Sequence, residues 1–277
     1  MDETFSSIDL VTQCLTDLKR TSKFQKAIEE AVKSGDTVLD LGTGSGVLAL
    51  FAARAGAKKV IAVEFDPYVA DLARTNVKNN GYEDVVDVVL GDARKIAFDS
   101  ETKFDVVIME MLTTGMVDEY QVWAANNLHQ REYVKKSTIF VPARQDTYVS
   151  VMHTDFKNYG LMMRMVKHQW EGFPEEKSTI LSNEPVLNSV SFDKVNGTLF
   201  KERITFEIKK SGVMNSIYLR SVTVLNDHMS VKDTLSLNAP VILPLSEDTP
   251  VKKGEKVSLE IEYIFGNGYR NFKVKRI

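Results

Sequence analysis

Cysteine is almost missing. Cys14 is the single one in 277 residues, so no intrachain disulfide can form and a reducing, cytoplasmic setting is expected. Positive charge is not in excess either. The 35 Lys and Arg against 38 Asp and Glu leave a formal net charge of −3, which argues against a broad nucleic-acid-binding face. No apolar run approaches the roughly 18 residues that a membrane span needs. The stretch MDETFSSIDL is acidic and polar where a signal peptide would be basic and then apolar. The four histidines (His129, His153, His168 and His228) show no metal-ligand spacing, so no metal is expected. What remains is 43% hydrophobic and 26% charged, ordinary for a soluble globular chain, and its length suits two domains.

The hydrophobic period changes near Pro142. Before it, short apolar runs (37–40, 59–63, 85–90, 104–109 and 137–141) alternate with helical patterns at 47–54, 67–80 and 117–133. Such alternation predicts βαβ units and a doubly wound, parallel, Rossmann-like sheet covered on both faces. After Pro142 the period is two, as in LFKERITFEI and VSLEI, and Asn267-Gly268 signals a hairpin between 260–265 and 269–274. An antiparallel, β-barrel-like second domain is expected, with 1–141 as the first domain and 142–277 as the second. Between them, NYGLMMRMVKHQWEGFP (158–174) is rich in methionine and aromatics, which fits core slightly better than an apolar arm.

VLDLGTGSGVLALFAA carries the clearest local signal. A strand ends at Asp40, glycines stand at 42, 44 and 46, and a helix begins at once. Glycine lets a ligand approach the backbone, and the helix start offers unpaired N–H groups. Two cofactors fit. Gly44, Gly46 and Ala49 satisfy a dinucleotide fingerprint, and Asp40 followed by Gly42, Gly44 and Gly46 fits S-adenosylmethionine equally well. In either case Glu64, at the end of the next strand, holds ribose hydroxyls. Asp92, in LGDAR, is placed to meet an adenine amino group, with Ala93 beside it. Asp40, Glu64, Asp92 and Glu110 thus end four successive strands along one rim, where open α/β sheets bind ligands. Glu119 follows Glu110 nine residues later. A competing reading of Asp118 and Glu119 is that they only decorate the first turn of a helix, where the dipole favours acids.

These residues resemble the protein arginine methyltransferases, a family of class I S-adenosylmethionine-dependent enzymes. VLDLGTGSGVLALFAARAGAKKVIAVE is similar to their cofactor segment, and FDVVIMEMLTTGMVDE resembles their double-glutamate loop. VPAR resembles the junction that leads into their β-barrel, LTDLKRTSKF their N-terminal helix, and TPVKKGEKVSLEI a late barrel segment. The resemblance implies S-adenosyl-L-methionine as cofactor, held by Arg20, Asp40, Gly42, Gly44, Gly46, Glu64, Asp92 and Ala93. It implies Glu110 and Glu119 as catalytic, an arginine-bearing protein as partner, and a homodimer through 158–174.

Two carboxylates suit a guanidinium, which is planar, always cationic, and presents its donors in a fork. Held so, one nitrogen can face an electrophilic methyl in near-attack geometry. The departures bear on the acceptor. The family's N-terminal aromatic motif has no match, Phe5 being the one aromatic residue ahead of the first helix. The Thr-His-Trp loop that lines the arginine pocket aligns with Ser236-Leu-Asn238, and the serine-glutamate-tryptophan start of the glutamate loop is here Met109-Glu-Met111. Another amine, a small molecule, an RNA base, or a cofactor-binding scaffold without turnover stand as alternatives.

Overall fold

A computed structural model describes residues 8–170, 177–234 and 237–277. Two helices, α1 (Ile8–Thr16) and α2 (Leu18–Ala31), precede an alternation of strands and helices. These are β1 (Thr37–Leu41), α3 (Val47–Arg54), β2 (Lys59–Glu64), α4 (Pro67–Asn79), β3 (Val86–Leu90), β4 (Phe104–Met109), α5 (Gln121–Gln130) and β5 (Val134–Val141). The five strands form one parallel sheet in the order β3-β2-β1-β4-β5. Asp66 caps α4 by accepting from Tyr68 and Val69 N–H, with Pro67 in the first turn where its missing N–H costs nothing.

The period of two within each strand decides what covers each face. Val38, Val60, Ala62, Val106 and Ile108 pack under α2, α3 and α4. Leu39, Leu41, Val63, Val107 and Met109 point the other way, into an apolar cluster shared with α5 and with Ile217, Leu219, Leu259 and Tyr263 of the second half. The sheet is therefore doubly wound, with the antiparallel half lying against one of its faces.

That half holds a seven-stranded antiparallel sheet running through Arg144–Thr154, Gly212–Val224 and Val241–Val251, and a three-stranded one from Leu199–Glu207, Lys256–Ile264 and Lys273–Arg276. The 260–274 hairpin does form, but its connection is longer than Asn267-Gly268 suggests, running from Phe265 to Phe272 through a 3-10 turn at Tyr269–Asn271. The reason is tertiary. Gly266 and Gly268 spend their N–H groups on Met116 and Val117 carbonyls, 3.0 and 2.9 Å away, instead of closing a tight turn.

The 158–170 stretch is not core. Its short ribbon, Lys157–Asn158 against Leu161–Met162, leaves Tyr159, Leu161, Met162 and Met165 exposed, and residues 171–174 lie outside the described residues. Among the described residues no helix is long and apolar enough to cross a membrane.

Candidate functional site

One cavity opens at the carboxyl ends of β1, β2, β3 and β4, roofed by Leu10, Val11 and Leu15 of α1. Its floor is the glycine turn. Gly42, Gly44 and Gly46 all take positive φ, and a Cβ on Gly42 would press to 3.1 Å from Met111 Cγ. The turn is held by its own amides: Gly42 and Thr43 N–H donate to Val63 O at 2.9 and 3.0 Å, and Gly44 N–H donates to Glu64 Oε2 at 2.9 Å. Glu64 Oε1 accepts from Phe65 and Asp66 N–H, so this buried carboxylate stands fixed at the cavity wall.

Of the residues predicted from the sequence, Arg20, Gly42, Gly44, Glu64, Asp92, Ala93, Glu110 and Glu119 line this cavity. Asp40 and Gly46 stand behind it. Asp40 is buried and accepts the Thr43 hydroxyl at 2.6 Å, bracing the turn from below. Burial, with the Glu110 and Glu64 charges adding, pushes its carboxyl up to about 7. Gly46 caps α3, where its missing side chain lets Ala73 of α4 pack close. Phe5 and Ser236 fall outside the described residues.

Arg20 sits in the cavity wall on Glu110. Its Nη1 is 2.7 Å from Glu110 Oε1, both side chains nearly buried, and its Nη2 donates to Cys14 O at 2.6 Å. Asp17 caps α2 through the Arg20 N–H and so sets where that side chain starts. Burial pushes the Glu110 carboxyl up, while the guanidinium pulls it back toward ionisation.

The loop between the glutamates is the most closely held part of the site. Helix α5 begins at Gln121 and has no acid in its first turn, so the 117–133 helix starts four residues later than its pattern suggests. The helix-dipole account of Asp118 and Glu119 falls with that boundary. Residues 117–120 stay non-helical because Gly266 and Gly268 engage the carbonyls before them, and because Gly115 (φ 71) and Met116 (φ 53) turn the chain sharply. Gly115 N–H donates to Ser221 Oγ at 2.9 Å, its carbonyl accepts from Tyr263 OH at 3.0 Å, and Thr114 Oγ1 donates to Ala239 O at 2.6 Å. Gln145 and Gln121 side chains donate to Thr113 O and Met109 O.

Glu119 faces the cavity with no side-chain hydrogen bond or ion pair among the described residues. Burial first, then the charges of Glu110, Asp118 and Glu64, push its carboxyl up to about 8. The sign for stability follows from proton binding. The folded protein holds this proton where an unfolded glutamate, near 4.5, has lost it, so stability falls as pH rises between those values.

Sequence reasoning missed Arg94 and Thr43. Arg94 grips Asp92 through Nε (2.9 Å) and Nη2 (2.7 Å) and lies over the Tyr120 ring at 4.2 Å. Partial burial pushes Asp92 up, but its bonds to Arg94 outweigh that and hold it below the usual range. The signal was present as an aspartate two residues before an arginine.

A glycine cradle, a fixed acid at the end of β2 and a second after β3, at the open edge of a parallel sheet, define a class I S-adenosylmethionine-dependent methyltransferase. Residues 19–175 match the family model described as ribosomal protein L11 methyltransferase (PrmA). That match covers more than half of the chain, which belongs to this methyltransferase family and is built on the protein arginine methyltransferase plan. An uncharacterized protein of Methanocaldococcus jannaschii, MJ1452, is 34% identical over 94% of this chain and 93% of its own length. Protein arginine N-methyltransferase 1 of Oryza sativa subsp. indica is 30% identical over 60% of this chain, which spans 46% of that relative. Among solved structures, the Trypanosoma brucei PRMT1 enzyme-prozyme heterotetrameric complex with AdoHcy superposes with a TM-score of 0.76 at 19% identity, covering 99% of this chain and 98% of that one. The protein is thus an S-adenosylmethionine-dependent methyltransferase, and its fold is that of the arginine methyltransferases.

Proposed function

We propose that this enzyme N-methylates arginine in protein, with 1–141 binding the cofactor and 142–277 shaping the acceptor site, in the cytoplasm. The observation that carries the reading is the pair Glu110 and Glu119 at one cavity edge. Glu110 already accepts a guanidinium, that of Arg20, through one oxygen, and its other oxygen has no hydrogen bond among the described residues.

The cavity suits the cofactor, because the backbone at Gly42 and Gly44 is bare and the walls carry fixed acids. Gly42, Gly44 and Arg20 would hold its amino-acid end, Glu64 the ribose hydroxyls, and Asp92 with Ala93 the adenine edge; Asp40 and Gly46 support the turn. When bound, S-adenosylmethionine supplies an electrophilic methyl group. The chain's own residues supply geometry and charge. Glu119 and the free oxygen of Glu110 hold the acceptor guanidinium in a fixed plane, a gain from pre-organisation more than from covalent help. The acceptor nitrogen sheds a proton as it becomes methylated, and Glu119, which holds the guanidinium in its ionised form, is placed to take it at Oε.

A pH dependence follows. Glu119 is largely protonated at pH 7 in the empty site, and a guanidinium binds only the ionised form. Substrate affinity should climb with pH up to about 8 and level off above it. Calorimetry in buffers of different ionisation enthalpy should show close to one proton released on peptide binding at pH 7. Affinity flat from pH 6 to 9 would show that Glu119 does not contact the acceptor.

The described part of the 158–174 stretch, residues 158–170, forms the contact of a homodimer under this reading. Support comes from Tyr159, Leu161 and Met162, exposed on one ribbon, and from Met165, exposed just after it. Light scattering should give twice the mass of the 31.2 kDa chain, and Leu161→Asp with Met162→Asp should give the monomer. A wild-type monomer at micromolar concentration sinks the idea.

The match to the L11 methyltransferase model favours one second reading, an amine other than arginine in a protein. Transfer of labelled methyl into an extract, followed by hydrolysis of labelled protein to amino acids, separates the two. Methylarginine is the expected product. Label in methyllysine or in an N-terminal amine would keep the methyltransferase and discard arginine.

A further inference from the structure

The loop that carries Glu119 has a second face. Glu119 and Tyr120 line the cofactor cavity, and Asp118 does not. Asp118 is half-buried, with no hydrogen bond or ion pair among the described residues, and burial pushes its carboxyl up to about 6. Two other segments bring aromatic rings to its side. Gly268, anchored on Val117 O, sits so that a Cβ built on it would lie 3.7 Å from Asp118 Oδ1, and the next residue is Tyr269. Burial pushes the Tyr269 hydroxyl up, and the Asp118 charge pushes it further. The strand Lys167–His168 pairs with Val241–Ile242, and Gln169 N–H donates to Pro240 O at 2.8 Å. His168 thereby meets Tyr269 edge-on, ring centres 6.0 Å apart, and lies flat against Trp170 at 5.4 Å.

Two polar atoms in this cluster are buried without partners among the described residues: Tyr269 OH and His168 Nε2. Such atoms are rare in folded proteins because each forfeits the hydrogen bonds it made to water. The usual resolution is a ligand or a bound water. Burial also lowers the pKa of His168, so its ring is neutral and offers one nitrogen as an acceptor. The Asp118 carboxylate thus neighbours the Tyr269 phenol, the Tyr269 ring meets His168, and His168 lies on the partly exposed Trp170 ring. Acceptors around a flat aromatic surface suit a planar cation rich in donors.

We propose that Asp118, His168, Trp170 and Tyr269 form a second guanidinium subsite, which takes a neighbouring arginine of the substrate chain while Glu110 and Glu119 hold the acceptor. This rests on arginine as the acceptor. The subsite makes the enzyme selective for arginine-rich segments over isolated arginines.

The test uses the full chain loaded with S-adenosylhomocysteine and fluorescent peptides. One peptide has arginine at each of the two positions on either side of the central arginine, and the other has neutral citrulline there. Fluorescence anisotropy should show the arginine-flanked peptide binding roughly tenfold tighter, and Asp118→Asn should bring its affinity toward that of the citrulline peptide. Tyr269→Phe should reduce the preference with no loss of melting temperature, because its hydroxyl has no partner to lose among the described residues. A structural hydroxyl would instead give a lower melting temperature with the preference intact, and that result overturns the proposal. Equal affinity for the two peptides, or full preference in Asp118→Asn, overturns the subsite and leaves arginine methylation standing. If neither peptide binds, both readings fall.

Discussion

Glutamine at position 119 should lower methyl transfer by roughly 10²–10³ and at the same time raise the melting temperature at pH 8.5. The two effects have one cause. Glu119 is a half-buried carboxylate with no cation of its own among the described residues, so its ionisation at alkaline pH is a burden on the empty fold, and under the proposed function it becomes an asset when the acceptor guanidinium arrives. Glutamine keeps the shape and removes the charge. Glu110→Gln should cost as much turnover and shift stability the opposite way. It leaves the Arg20 guanidinium buried without the carboxylate that now sits 2.7 Å away, and breaking such a pair costs about 3–5 kcal/mol. Initial rates with labelled cofactor, melting curves at pH 6.5 and 8.5, and S-adenosylhomocysteine affinity check the set. Affinity for that product should hold within a few fold in Glu119→Gln. Near-normal turnover in either variant would remove the clamp from the mechanism.

Gly266→Ala should damage the site from the far half of the chain. Gly266 has φ 71, and a Cβ there would lie 2.8 Å from Tyr120 Cδ1 and 3.0 Å from the Glu119 carbonyl oxygen. The carbonyl is backbone and cannot swing aside as a side chain would. Left-handed strain and overpacking together cost roughly 2–4 kcal/mol, with about 2–4 °C of melting temperature for each kcal/mol. Turnover should fall further than stability, because the atom displaced belongs to Glu119. Gly254→Ala is the control. Its φ of 88 imposes the same backbone strain, but nothing lies within 4 Å of the added Cβ. It should lose about 1 kcal/mol and no activity. Equal activity losses in the two variants would show that strain alone is at work.

The parallel half was legible because its signals are local. A fully apolar run reads as a buried strand, Pro67 after Asp66 reads as a helix start, and three glycines at a strand end read as a ligand turn. The rim of acids was legible for the same reason, since strand ends fall on one edge of a parallel sheet. What stayed hidden depends on partners distant in sequence. The start of α5 at Gln121 is set by Gly266 and Gly268, almost 150 residues later. That same contact stretched the Asn267-Gly268 turn. The 158–170 stretch has a core-like composition, and only the ribbon it forms shows those side chains to be exposed. Arg20 was expected at the cofactor, and the structure places it in the cavity wall with Glu110 as its ion-pair partner.

Ser221, Tyr263, Ala239 and Gln145, which fasten residues 113–115, all come from after Pro142. The chemistry-bearing loop thus belongs to the cofactor half by connectivity and to the antiparallel half by support. Cut the chain at that proline and the first piece would keep its glycine turn and Glu64 while losing the mould that shapes the glutamate loop. The two functions can also drift apart. If Glu119 holds the acceptor as proposed, substitutions among the supporting side chains can re-aim it toward a differently shaped one with the glycine turn and Glu64 left in place. A lineage built this way can change what it methylates without relearning how to bind the methyl donor.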